Sequence, residues 1–353
     1  MSAALLLLLA ACGTSGVPAL GDGVHSLRGV SLTEIATADD GLNLPRDLAF
    51  HPHRPAELWV VNMADDTTVT LFDVGGSAQE AWKSGGWGSH HFLPRPSALA
   101  FGENGHFATT HEIDEPTQGP NGTPGDFMGP SLWPSDLEIY DGGHAGHIDM
   151  LHNSPNAMGV AWEIDNAYWV FDGYHTSLTR YDFVEPHEPG GSDHSDGIVR
   201  RYVEGEVGYE PGVPSHLVYD PTDALLYVAD TANHRIAVLD TTSGELGGNI
   251  HPNYDGSDQR HVHGASLDTF LEGTVGDEIE LVLPSGLALV DDILYVSDNA
   301  TSLLLAFDLE GTLLDWLDTE LPAGSLMGIT LGDDGRLYLV DAEGDRILRV
   351  DVD

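Results

Sequence analysis

The chain has 353 residues, 41% of them hydrophobic, and sets 57 acidic side chains against 13 basic ones, for a formal net charge of −44 with Lys83 as its one lysine. A surface this acidic repels phosphate backbones, which excludes a nucleic-acid role and favours cations as partners; the plainer reading of the charge is solubility in a salty medium. One cysteine, Cys12, forms no internal disulfide, and the absence of GxSxG, P-loop, HExxH and CxxC patterns argues against thiol nucleophiles and nucleotide cradles.

At the N-terminus, Leu5 to Ala11 form an apolar run too short to span a bilayer. The stretch Leu9-Ala10-Ala11-Cys12 resembles a bacterial lipobox, although no basic residue precedes the run. The resemblance implies a signal peptide over residues 1–11, lipid on Cys12, a tether over 12–24, and an outer-membrane lipoprotein facing periplasm or exterior. The expected membrane contact is that lipid anchor, on a monomer.

From residue 25 onward one unit recurs. Its clearest copy is Val213 to Thr241: Pro214 breaks the preceding segment, His216 to Tyr219 runs apolar, Asp220 to Asp223 is turn chemistry, and two further short strands follow. Six copies align on the residue that closes the second strand, and from Asp172 to Asp182, Asp230 to Asp240, Asp298 to Asp308 and Asp341 to Asp351 the spacing is ten residues each time. A repeat of roughly 40 to 50 residues with several strands per unit predicts a propeller: all-β, six-bladed, residues 25–353. The last copy lacks a fourth strand, so Leu27 to Thr37 is predicted to close it.

Blade 2 departs most. His111 replaces the closing Asp, the third strand is predicted at Leu137 to Tyr140 after a Pro- and Gly-rich insertion over 112–136, and Trp133 falls within it. Its fourth strand is placed around His144, His147, Asp149 and His152, with His147 and Asp149 on one face. Further insertions follow blades 3 and 4 and carry His187 and His194, then His251, His261 and His263. The loop before blade 2 holds Trp87, His90 and His91.

The strings LYVADTANHRIAVLD (226–240), LYVSDNATSLLLAFD (294–308) and LYLVDAEGDRILRVD (337–351) resemble NHL-type six-bladed β-propellers. In such a ring the starts of the inner strands and the exits of the second strands crowd one channel mouth, which would collect Arg46, Asp47, Asn156, Asp172, Asp230, His234 and Asn299 as ligand-binding candidates. Ser97, Ser215 and Ser285 belong to the same mouth. The plainer role for the recurring Asp is to cap its turn, and for His234 a place in the repeat's own consensus. His111, Glu112 and His216 are the metal candidates, since imidazole and carboxylate converging on one point compose a metal or acid–base site.

The stretch FDGYHTSLTRYD (171–182) is similar to the lyase domain of the peptide-amidating enzyme. That similarity implies a catalytic Tyr174, with His175 beside it. Of that family's three zinc histidines only His216, near Pro214, has a counterpart, and Thr231 stands where the family has arginine. A further resemblance, to gluconolactonase and regucalcin propellers, implies one cation held by Glu112, Asn156 and Asp230 or Asn299. Among the insertions, His187, His194, Asp193 and Asp196 suit Zn²⁺ or Ca²⁺, and His147, Met150, His152 and Met158 suit copper. The function expected is an envelope-anchored module binding a small ligand or protein partner, with or without one divalent metal (Zn, Ca or Cu) at the mouth. The alternative is a metal-dependent lyase or hydrolase using Tyr174 and the mouth histidines.

Overall fold

A computed structural model describes residues 16–85, 92–114, 127–142, 146–276 and 279–352. The repeat folds as read. Each copy begins with an inner strand (Pro45–Phe50, Pro96–Phe101, Ala157–Ile164, Leu217–Asp220, Pro284–Val290, Leu326–Leu331), and each inner strand pairs antiparallel with the next strand in sequence. The inner strands neighbour one another in sequence, and the last returns to the first. The chain is a six-bladed β-propeller.

Closure works as expected. Val30–Ala36 is the fourth strand of the sixth blade, antiparallel to Arg346–Val352 with Val30 opposite Val352 and Glu34 opposite Leu348. Sealing the ring this way removes two strand edges that would otherwise template pairing with other chains. The segment expected to be a free tether is docked from Val17 onward: Val17 and Leu20 are buried in the core of blades 5 and 6, and the amides of Val17 and Gly23 both donate to Asp315 (3.0 and 2.8 Å). Residues 1–15, with Cys12, lie outside the described residues.

The core is distributed rather than central. Six apolar clusters fill the six wedges between adjacent blades, for example Trp59, Phe107, Leu99 and Trp133 between blades 1 and 2, and Tyr227, Ile236, Val296 and Phe307 between blades 4 and 5. Strands buried on both faces need apolar residues at consecutive positions, which is why Leu58–Asn62 reads LWVVN and is buried throughout.

Two blades differ from the reading. In blade 2 the third strand is Ser131–Pro134, and Leu137–Tyr140 is a single helical turn. Asp136 sets that turn, since its carboxylate accepts the Glu138 amide at 2.9 Å, a helix cap that a strand has no use for. The fourth strand is only Asp149–Met150. The insertion expected after blade 4 lies inside it, between its third strand Arg235–Asp240 and its fourth strand Leu267–Glu272, and contributes a hairpin, Glu245–Asn249 and Asp258–His263, whose second arm pairs parallel with Ile198–Tyr202 of blade 3 and widens that sheet to six strands.

Candidate functional site: the central channel

The ring places the starts of the inner strands at one mouth and their ends at the other. Between them lies a cavity of about 430 Å³ lined by all six inner strands. It opens where those strands finish, among Phe50, His51, Phe101, Trp162, Tyr219 and Asp333, and it reaches inward to Asp47 and His216. This is the mouth opposite to the one that sequence reasoning favoured. The signal for it was weak, because Phe50, Phe101, Trp162 and Tyr219 at strand ends look like ordinary core.

Asp47 and His216 form the polar floor. Asp47 is 7% exposed, and its carboxylate accepts the amides of Leu99 (3.0 Å) and Leu48 (2.8 Å). Burial pushes its pKa up, and the nearby His216 and the two amides pull it back only in part. Gly328 leaves the carboxylate its space, since a Cβ there would sit 2.4 Å from Asp47 Oδ1. Nε2 of His216, 4% exposed, faces Asp47 Oδ2 at 3.7 Å and has no hydrogen-bond partner. That gap is too long for a direct hydrogen bond.

Toward the other mouth, Arg46 and Glu112 fill the channel. The guanidinium is 4% exposed; it touches Met63, the carbonyl of Gly212, Met327 (3.7 Å) and Glu112 (3.5 Å). Glu112 also accepts from Tyr209 Oη (3.1 Å) and the Gly212 amide (2.6 Å), with Arg95 at 4.0 Å. Burial lowers the Arg46 pKa against the pull of Glu112, and burial together with Glu112 raises that of Tyr209.

The remaining candidates are dispersed around that mouth. His111, 1% exposed, bonds the Gly129 carbonyl and the Thr109 hydroxyl (both 3.1 Å). Asp172 accepts Ser154 Oγ (2.8 Å), the His175 amide (2.9 Å) and His175 Nδ1 (2.8 Å); Tyr174, 49% exposed, sits edge-on to the His175 ring. Asp230 takes Gly208 N (2.7 Å), Asn233 and Arg235 (2.7 Å), which is turn-capping, and Asp298 and Asp341 cap their turns in the same way. His234 is the left-handed residue closing its turn and bonds the Val282 carbonyl. Asn299 donates to Leu326 O (2.7 Å), and Asn156 has φ 50° with its amide on Ile113 O (3.0 Å).

Among the described residues, His111, Glu112 and His216 do not share a ligand point. The group whose ligand atoms do converge is Asp149, His187 and His194, at the rim between blades 2 and 3. The four residues expected for copper separate: Met158 lies in the wedge between blades 3 and 4, Met150 packs on Phe127 and Met128, His147 stacks on Phe92, and His152 pairs with Asp255. Trp133 is buried between blades 1 and 2. Trp87, His90, His91 and His144 lie outside the described residues.

No family model and no curated protein matches the sequence. Solved structures do match. The chain is similar to an auxiliary nutrient binding protein from Bacteroides ovatus (TM-score 0.58, 12% identity, 92% of this chain and 77% of that one). It is also similar to a streptogramin B lyase (0.55, 10%, 92% and 98%) and a luciferin-regenerating enzyme (0.54, 12%, 91% and 95%). Identities this low carry the fold and not the chemistry.

Proposed function

We propose that the protein is a ligand-binding propeller that takes a small molecule into the central channel, with an apolar body against the mouth residues and a polar head between Asp47 and His216. The observation that carries this reading is the unpartnered Nε2 of His216. A buried polar atom without a hydrogen bond costs on the order of 1–3 kcal/mol, and a bound group bridging it to Asp47 3.7 Å away would recover that cost. The cavity volume lies within the usual range for small-molecule sites. A head bearing a donor, such as an amine or hydroxyl, fits a carboxylate held in a dry setting.

The name of the Bacteroides neighbour supports a binding role over catalysis, and the resemblance of Leu9-Ala10-Ala11-Cys12 to a lipobox supports presentation from the cell envelope. A second reading, a lyase or hydrolase, is favoured by the row Asp172, His175 and Tyr174, in which a buried carboxylate orients an imidazole beside an exposed phenol. Thermal-shift screening of small amines and alcohols separates the two. Binding in the channel gives stabilisation that His216→Ala abolishes and His175→Ala leaves intact; the opposite pattern moves the site to the Tyr174 mouth.

A further inference from the structure

We propose that Asp149, His187 and His194 form a binding site for a borderline divalent cation, Zn²⁺ by preference, that fastens the long loop of blade 3 onto blade 2. Asp149 comes from the short outer strand of blade 2, and the two histidines from the loop between the third and fourth strands of blade 3. One ligand atom from each lies within 4.8 Å of the other two. Ligands of a tetrahedral zinc stand roughly 3.3 Å apart, given bonds of about 2.0–2.1 Å, so closing the site needs a movement of at most about 1.5 Å.

The hydrogen bonds around the cluster prepare it for a metal. The Nδ1 of His187 bonds the Glu188 carbonyl at 2.8 Å. A carbonyl only accepts, so Nδ1 carries the proton and the lone pair of the neutral ring sits on Nε2. That Nε2 is buried and has no hydrogen-bond partner. Metal-bound histidines are held in this manner, one nitrogen tied to a backbone carbonyl and the other aimed at the ion. His194 Nδ1 rests on Asp149 Oδ1 at 2.7 Å, and Asp149 is 1% exposed, so the carboxylate is fixed before any ion arrives. Around them the ring of His147 meets His187 edge-on at 5.1 Å and is itself stacked on Phe92 at 3.7 Å, an aromatic wall that limits water.

The donor set decides the metal class. Two imidazoles and one carboxylate suit zinc and its neighbours, whereas Ca²⁺ and Mg²⁺ demand a shell of oxygens. Three protein ligands leave a fourth position for water or an exchangeable group. The backbone already brings the two parts together, since the Gly190 amide donates to the His147 carbonyl at 3.1 Å, and an ion would lock that contact.

The test is zinc uptake by the full chain, stripped and dialysed against metal-free buffer, followed by titration calorimetry with ZnCl₂ and elemental analysis. One equivalent is expected, retained in about 0.5 M salt and in excess Ca²⁺, a regime in which screening removes loose attraction to the acidic surface. His187→Ala, at a half-buried loop position, is expected to keep the wild-type circular dichroism and lose affinity by at least about 10-fold, while His261→Ala, which pairs with Glu204 and stands outside the cluster, keeps it. Asp149→Asn provides a second reading from the other blade. Uptake that His187→Ala leaves unchanged, or that salt or Ca²⁺ displaces, overturns the site, as does the absence of retained zinc.

Discussion

Arg46→Met tests whether the charged plug in the channel is built as described. The guanidinium and the carboxylate of Glu112 are about 4% and 5% exposed and 3.5 Å apart, so neither is solvated if the other is removed. Breaking such a buried pair from one side costs about 3–5 kcal/mol. Methionine fits between Met63 and Met327, so the loss is charge more than volume, and Glu112 keeps two donors, Tyr209 Oη and the Gly212 amide. That places the expected cost near the lower end, about 3 kcal/mol, or a fall in Tm of about 4 °C for a chain of this length. Arg46→Met with Glu112→Gln removes both charges and leaves an amide oxygen for the same two donors. The double variant is therefore expected to recover about 2 kcal/mol relative to the sum of the singles, read from urea unfolding midpoints in a double-mutant cycle. Additive losses, or a single-site cost under about 1 kcal/mol, would refute the buried coupling.

Asp47→Asn bears on pH. Burial raises the folded-state pKa of Asp47, so the native protein binds more protons than the unfolded chain between the ordinary carboxylate value and the raised one, and loses stability as pH rises through that window. Asparagine has no such titration, so the stability of Asp47→Asn relative to wild type is expected to rise across the window and level off above it; a difference that stays flat with pH counts against a buried, charge-disfavouring floor. Deleting residues 16–36 removes the closing strand and the Val17 and Leu20 contacts, and is expected to convert a monodisperse species into oligomers by size-exclusion chromatography; an unchanged elution profile would show that closure contributes little. Phe307→Ala empties a fully buried position in the wedge between blades 4 and 5 and is expected to cost about 3–5 kcal/mol in urea unfolding, a loss under about 1 kcal/mol being incompatible with the packing described.

The blades were legible because one physical device repeats. Asp172, Asp230, Asp298 and Asp341 each cap the turn after a second strand, and a capped turn of fixed shape forces the ten-residue spacing to the end of the third. Where the device is missing, at His111, the repeat loses its marker, and the apolar LEIYD reads as a strand although Asp136 caps it as a helical turn. The closing strand was readable from an arithmetic deficit of one strand. Much of the site was not. The cavity is floored by Asp47 and His216, each of which appears in the sequence, but their pairing depends on two inner strands from opposite parts of the ring. The rim cluster is harder still, since Asp149 and His194 are far apart in sequence and meet only because a loop of blade 3 folds back over blade 2. Histidine-rich insertions announced chemistry without saying which histidines would share a point, and the rigid mouth candidates, Asp172, Asp230 and Asn299, turned out to be hydrogen-bonded within the fold.

The most direct test of the channel account is to soak crystals of the protein with a fragment set of small primary amines and alcohols and to repeat the binding of any hit by calorimetry with His216→Ala and Asp47→Asn. The account predicts a fragment whose polar head bridges Asp47 and His216, with binding weakened at least about 10-fold by either substitution, as expected when a desolvated charge-assisted contact is lost. Fragments that bind elsewhere, or that bind the two variants as well as wild type, would contradict it.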